Sequence, residues 1–128
     1  SVEDLRKLGL GFRDVRVYET THKILNKEVN LEKLHEEPDT QKARDTLLTL
    51  AGVGPKVADC ILLFSTLKRL DVFPIDVWVR RVMNELYLKK EDETKVNKRE
   101  IEILPKEKYG ALVGIAQQYL FYWKRDTA

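Results

Sequence analysis

Apolar residues recur at intervals of three and four along most of the chain, which is the spacing of amphipathic helices. Ser1 and Asp4 have the spacing of a helix cap and its partner, and Gly9 lies where this first short helix should end. The same pattern predicts helices over residues 13–27, 31–34, 39–50, 55–67, 77–86 and 109–123. The highly charged segment 89–102 fits either a solvated helix with a loop or an insert. Because no strand pattern or internal repeat is present, we predict an all-α fold.

Length and composition narrow the class of protein. A chain of 128 residues can form one domain with a modest core, so we expect a single domain over residues 1–128. The net charge is only +2, so any affinity for nucleic acid has to come from clustered basic residues. Cys60 is the single cysteine, which excludes an internal disulfide, and with two histidines it cannot complete a zinc site. These counts favour a soluble protein in a reducing, intracellular setting, without membrane association.

A glycine hairpin, Gly52-Val53-Gly54, separates two predicted helices. Glycine allows a sharp turn and a close approach of another molecule to the backbone. Pro55 follows at a position suited to the first residue of a helix, and the amides that open that helix can bind a phosphate. The hairpin alone also fits a structural turn between packed helices. As a binding element, it would grip a phosphate backbone without reading sequence.

Lys56 and Asp76 are the candidate catalytic residues. Lys56 follows the hairpin and Asp76 follows Phe73-Pro74-Ile75. An amine can attack C1′ of a deoxyribose and form an imine, if the site favours the neutral amine or supplies a proton acceptor. A carboxylate can stabilise the positive charge that develops on the sugar as the base departs. Asp76 also fits the N-cap of the next helix, and the two roles are compatible.

Four segments in order resemble one family. These are LGLGFR at residues 8–13, LAGVGPKVADC at 50–60, FPID at 73–76 and IAQQYLF at 115–121. Together they resemble the 8-oxoguanine DNA glycosylase/AP lyases of the helix-hairpin-helix glycosylase superfamily. The resemblance implies removal of 8-oxoguanine from double-stranded DNA by lysine attack, followed by β-elimination. It further implies a monomer that requires no cofactor. Members of this family also carry an N-terminal sheet domain, so we expect this chain to be a fragment that lacks it.

The resemblance implies roles for further residues. Cys60, Gln117 and Phe121 match residues of the pocket for the extruded base, with Gln117 at the base edge and Phe121 stacked on the base. Phe12 and Arg13 match an aromatic wedge and a reader of the unpaired base. Core packing is the competing explanation for Cys60 and Phe121.

The DNA backbone is expected to contact Gly52, Val53, Gly54 and Trp78. Trp78 stands where the animal members have histidine, and an indole cannot accept a proton. The superfamily also implies a structural monovalent or divalent cation at the hairpin, held by the backbone carbonyls of Leu48, Leu50 and Val53.

Two other functions remain open at this point. An endonuclease III-like pyrimidine glycosylase shares the hairpin, lysine and aspartate, although such enzymes often have a four-cysteine cluster that a single cysteine cannot form. A non-catalytic helix-hairpin-helix module would bind the DNA backbone, and the pairing of Lys56 with Asp76 would then be a coincidence.

Overall fold

The computed structural model describes residues 1–127, so Ala128, the last residue of the predicted domain, lies outside the described part. No strand occurs in residues 1–127, and the all-α prediction is confirmed. The eight α-helices are α1 Val2–Lys7, α2 Arg13–Leu25, α3 Leu31–Glu36, α4 Thr40–Leu48, α5 Pro55–Phe64, α6 Val77–Met83, α7 Lys98–Tyr109 and α8 Val113–Thr127. The chain forms two compact units, Ser1–Ala58 and a second that begins at Asp59 within α5.

Local capping explains where the helices of the first unit begin. Ser1 and Asp4 form the predicted capping box of α1. Asn30 caps α3 and Asp39 caps α4, each accepting two backbone N–H groups through its side-chain oxygen. Side chains from α3, α4 and the segments beside them are buried in this unit: Val29, Leu34, Ala43, Leu47 and Leu50.

Three predicted helices end earlier than their apolar patterns suggested: α2 at Leu25 rather than at residue 27, α4 at Leu48 rather than at residue 50, and α5 at Phe64 rather than near residue 67. Lys27, two residues after the end of α2, adopts a left-handed backbone with φ of 59°. A left-handed residue at this position stops the helical hydrogen-bond ladder, and lysine gives no sequence signal for this conformation.

The second unit is organised around α6, α7 and α8, with α8 packed against both other helices. Asp76 caps α6 as predicted. The predicted helix over 77–86 changes type at Asn84, because Asn84–Leu88 forms a π-helical turn that ends at the left-handed Lys89. The core of this unit contains Phe73, Val79, Val82, Met83, Val96, Ile101 and Val113.

The prediction of one helix over residues 109–123 was wrong. Tyr109 is the last residue of α7, and Gly110 interrupts the helix with φ of 60° before a 3₁₀ turn, Gly110–Leu112, leads into α8. Pro105 lies inside α7, although proline normally marks a helix boundary. Tyr109 is held by a hydrogen bond between its hydroxyl and that of Tyr87, and burial together with this bond raises the pKa of Tyr109 to about 12.

Of the two alternatives for the charged segment 89–102, the structure agrees with a helix and a loop, because the segment contains a loop, a 3₁₀ turn at Glu93–Lys95 and the start of α7. Asn84 anchors its beginning: the side-chain nitrogen donates to the Lys90 carbonyl at 2.9 Å, and the side-chain oxygen accepts the Lys90 N–H at 2.9 Å. The Lys90 ammonium also pairs with Glu100 on α7 at 2.7 Å. The segment is therefore bonded to Asn84 before it, and its first residues are bonded to the start of α7 within it.

Two features are absent from residues 1–127. None of the described helices has the length and apolar character needed to cross a membrane. Within the same residues, no group of three or more histidine, cysteine, aspartate or glutamate side chains could hold a metal ion.

Candidate active site

The glycine hairpin is built around Gly52, which adopts a left-handed backbone with φ of 78°. The Val53 N–H donates to the Leu50 carbonyl at 3.2 Å and closes the turn. A Cβ atom at position 52 would lie 2.6 Å from Cδ of Arg16, so both conformation and space require glycine there. Gly54 differs, since a Cβ at position 54 would meet nothing within 4 Å. The open space beside Gly54 leaves its backbone accessible to another molecule.

Helix α5 begins directly at the hairpin. Pro55 occupies its first position, as predicted, and the first turn closes where the Ala58 N–H donates to the Gly54 carbonyl at 2.9 Å. The N–H groups of Lys56 and Val57 precede that bond, where a helix offers them no partner of its own. These amides give the hairpin the donors that a phosphate requires.

Two side chains of α2 donate hydrogen bonds to backbone carbonyls just before the hairpin. The Lys23 ammonium donates to the Thr49 carbonyl at 2.6 Å, and the Thr20 hydroxyl donates to the Ala51 carbonyl at 3.2 Å. Neither residue was singled out from the sequence. Lys23 also brings a positive charge to the hairpin carbonyls.

The predicted cation ligands are compatible with this arrangement. Thr49 and Ala51 use their carbonyls for α2, whereas the predicted ligands are Leu48, Leu50 and Val53. The Leu50 carbonyl accepts one hydrogen bond and retains a second lone pair, and Leu48 ends α4, where carbonyls lack helical partners. The donor set is therefore one of neutral oxygens suited to a hard cation, and the cation remains a prediction.

Phe12 is an exposed aromatic residue with two guanidinium groups close to its ring. Its side chain is 65% exposed, and the guanidinium carbons of Arg13 and Arg16 lie 4.7 Å and 5.0 Å from the ring centroid. Arg16 was not predicted, although it lies one helical turn after Phe12 and so shares its face. Because the Arg16 stem also packs on Gly52, it joins the predicted wedge to the hairpin.

Asp14 fixes the loop that carries Phe12. It is buried, and its carboxylate accepts hydrogen bonds from Arg6 Nε at 2.8 Å and from the Val15 N–H at 2.6 Å. The Arg6 hydrogen bond, followed by that from the Val15 amide, lowers the pKa of Asp14. Helices α1 and α2 are thereby tied together beside the exposed aromatic ring.

Lys56 and Cys60 lie four residues apart on α5, so they project from similar sides of that helix. Lys56 is exposed, and Cys60 is half-buried. The prediction that Cys60 borders the base pocket beside Lys56 depends on this four-residue spacing.

Asp76 is half-buried at the start of α6, where its Oδ1 accepts the Val79 N–H at 2.8 Å. The residues before it, Phe73 and Pro74, are buried. The backbone that carries the Asp76 carboxylate is therefore held by the buried residues before it and by helix α6 after it.

Gln117 is 3% exposed, and both ends of its amide have protein partners. Its Nε2 donates to the Pro74 carbonyl at 3.1 Å, and its Oε1 accepts from Gln118 Nε2 at 2.6 Å. Phe121 packs against the core of the second unit, with the Arg125 guanidinium carbon 5.5 Å from its ring centroid. Trp78 is half-buried beside Arg81. The predicted roles of Gln117, Phe121 and Trp78 remain predictions.

Two groups of predicted residues are brought together. In the first unit, Arg16 links Phe12 with the Gly52 turn. In the second, Gln117 is bonded to the segment that carries Asp76. Lys56 belongs to the first unit and Asp76 to the second, and the meeting of their side chains stays a prediction.

No protein-family model matches the chain. The probable N-glycosylase/DNA lyase of Methanothermobacter thermautotrophicus is 39% identical over 127 residues, covering 99% of this chain and 38% of that protein. Nearly the whole chain is thus similar to part of a protein named as an N-glycosylase/DNA lyase. It therefore spans less than half the length of the relatives that it matches.

Solved structures agree with this similarity. MBOgg1 in complex with a low-affinity DNA ligand has a TM-score of 0.89 and 45% identity, covering 99% of this chain and 42% of that one. Clostridium acetobutylicum 8-oxoguanine glycosylase/lyase, bound to double-stranded DNA with cytosine opposite 8-oxoguanine, has a TM-score of 0.85 and 38% identity, covering 99% of this chain and 42% of that one.

A second kind of enzyme is also similar in sequence. Endonuclease III of Sulfolobus acidocaldarius is 38% identical over 85 residues, or 66% of this chain and 35% of that protein.

Proposed function

We propose that this chain is the catalytic helical part of a DNA glycosylase/AP lyase that removes 8-oxoguanine from double-stranded DNA inside the cell. The observation that carries the proposal is the likeness of nearly the whole chain to 8-oxoguanine glycosylase/lyases solved with DNA. Lys56 directly after the hairpin and Asp76 at the start of α6 supply a nucleophile and a carboxylate.

The reaction follows from those two groups. The neutral amine of Lys56 attacks C1′, the bond from C1′ to the base breaks, and the base leaves with the bonding electrons and takes up a proton. The Asp76 carboxylate stabilises the positive charge that builds on the sugar. Loss of a second proton from the nitrogen gives an imine as the ring opens. The imine acidifies the C2′ proton, and its removal expels the 3′ phosphate by β-elimination.

Most of the proposed DNA contacts belong to the first unit, and Trp78 in the second unit is a further predicted backbone contact. The amides of Lys56 and Val57 would receive a phosphate, and Phe12 would enter the base stack with Arg13 and Arg16 close to its ring. A cation held by the carbonyls of Leu48, Leu50 and Val53 would add positive charge beside that phosphate.

Trapping with borohydride tests the nucleophile. An 8-oxoguanine duplex incubated with the protein and reductant should give a covalent adduct, because reduction fixes the imine. Lys56→Gln should abolish the adduct, and substitution of the exposed Lys33 of α3, Lys33→Gln, should leave it intact. An adduct that survives Lys56→Gln would exclude Lys56 as the nucleophile.

The endonuclease III-like alternative is supported by the similarity to the Sulfolobus acidocaldarius protein. A duplex with an oxidised pyrimidine, trapped in parallel, distinguishes the two enzymes. Preferential trapping on the pyrimidine duplex would favour the alternative. If neither duplex gives an adduct although both bind, the protein is a non-catalytic DNA-binding module.

A further inference from the structure

Gln118 is the one polar neighbour of Gln117 on α8 that contacts its amide among the described hydrogen bonds. Its Nε2 donates to Gln117 Oε1 at 2.6 Å, and Gln117 Nε2 donates in turn to the Pro74 carbonyl at 3.1 Å. The result is a chain of two hydrogen bonds that runs from the half-buried Gln118 to a backbone oxygen two residues before Asp76.

The chemistry of this chain fixes which way the Gln117 amide points. A backbone carbonyl can only accept a hydrogen bond, so the nitrogen end of Gln117 has to face Pro74. The oxygen end then faces Gln118, which has to present its own nitrogen. Each orientation follows from the previous one, and the carbonyl at the far end is part of the backbone and cannot be reversed.

Water cannot easily replace the hydrogen bond from Gln118, because Gln117 is buried. With 3% exposure, Gln117 has little access to water that could satisfy its oxygen in place of Gln118. An amide with only the Pro74 bond would be free to tilt or to leave that carbonyl. Gln118 thus holds the oxygen end while Pro74 holds the nitrogen end.

The two bonds leave hydrogen-bonding capacity for a ligand. Gln117 Nε2 retains its second hydrogen, and Oε1 retains a second lone pair. This donor and this acceptor lie side by side, so they can pair with an acceptor and a donor on the edge of a purine base. A reversed amide would present these groups in the wrong order and would repel the same edge.

We propose that Gln118 is a positioning residue, which fixes the amide of Gln117 so that its remaining donor and acceptor read the edge of the extruded base. This inference rests on the proposed function, because it presupposes that Gln117 contacts the base. Gln118 itself need not touch the base.

Two substitutions separate the hydrogen bond from packing. Gln118→Met has a similar volume and no donor, while Gln118→Glu has the same shape and can only accept, so it repels Gln117 Oε1. Gln41→Glu on exposed α4 is the matched control for the added charge. Both Gln118 variants remove the donor, but only the glutamate favours a reversed Gln117 amide.

The first readout is the side-chain amide of Gln117 by NMR. In the wild type, the proton donated to Pro74 should exchange slowly with solvent, and both Gln118 variants should exchange it about tenfold faster. The Gln41→Glu control should not change it. Unchanged exchange in both Gln118 variants would overturn the proposal, whatever the protein does to DNA.

The second readout compares two single-turnover reactions. Release of 8-oxoguanine should slow about tenfold in Gln118→Met and more in Gln118→Glu, because the amide no longer matches the base edge. Strand cleavage at a preformed abasic site, which has no base to read, should stay within about twofold of wild type. Equal losses in both reactions, or equal effects of the two variants, would show a merely structural role and overturn the inference.

Failure of the proposed function can be distinguished from failure of this inference by the behaviour of the wild-type protein. A wild-type protein that releases no 8-oxoguanine would refute that function and the base-reading role of Gln117. The NMR readout would still show whether Gln118 orients the Gln117 amide.

Discussion

Gly114→Ala tests how closely α8 approaches the segment before Asp76. A Cβ at position 114 would lie 2.7 Å from the Val72 carbonyl oxygen, 2.9 Å from that of Leu70 and 2.6 Å from Cδ1 of Leu63. The two carbonyls are backbone atoms, and Leu63 is buried, so none of these neighbours can simply rotate away. The Gly114 N–H also donates to the Leu70 carbonyl at 2.8 Å. Alanine therefore has to push α8 away from residues 70–72.

The expected magnitude combines three effects. Overpacking costs about 1–3 kcal/mol, and a weakened Gly114 hydrogen bond costs about 1 kcal/mol. The higher helix propensity of alanine relative to glycine offsets about 1 kcal/mol of these costs. We expect a net destabilisation of about 2 kcal/mol, which lowers the melting temperature by roughly 5–10 °C.

Thermal unfolding followed by circular dichroism measures this change, and the fluorescence of Trp78 and Trp123 reports on the second unit alone. Gly54→Ala is the matched control, since its Cβ meets nothing within 4 Å; its stability should stay the same or rise by about 0.4–1 kcal/mol. A Gly114→Ala protein as stable as the wild type would refute the argument from close approach. It would mean that α8 can move away from residues 70–72 at no cost.

Three further substitutions test the site. Asp76→Asn keeps the N-cap, so single-turnover base release should fall far more than DNA affinity; equal losses would count against a transition-state role. The lowered pKa of Asp14 means that its bond with Arg6 stabilises the fold above the unfolded pKa of about 3.9 and less as pH falls through the folded value. The excess stability of wild type over Asp14→Asn in urea should therefore be full at neutral pH and vanish in strong acid, and a constant difference would contradict this. Arg16 is an exposed guanidinium beside the hairpin, so we expect it to contact a DNA phosphate; Arg16→Met should weaken DNA binding and reduce its salt slope by about 1, whereas an unchanged slope would exclude this contact.

The sequence predicted the helices that have strong local signals. Ser1 and Asp76 cap their helices as predicted, and Pro55 is the first residue of α5, because side-chain chemistry determines these positions. The end of α2 before Lys27 was not predictable, because a left-handed lysine depends on tertiary context. The break at Gly110 was missed since apolar periodicity continues on both sides of it.

The site was predictable as a set of residues but not as a set of contacts. The hairpin motif identified Gly52, yet the reason for glycine includes Arg16 from α2, far away in sequence. The amide of Gln117 is fixed by a carbonyl 43 positions earlier, and no local pattern reveals such a bond. Long-range hydrogen bonds depend on how helices pack, which spacing alone does not specify.

The π-helical turn at Asn84–Leu88 has a consequence for insertions and deletions in this region. Such a turn holds one more residue than an α-helical turn, so it can absorb the loss of a single residue by rewinding. The rewound helix would no longer aim the Asn84 side chain at both backbone groups of Lys90. A shortened chain would thus keep its helices but lose the two hydrogen bonds by which Asn84 holds the start of the charged segment.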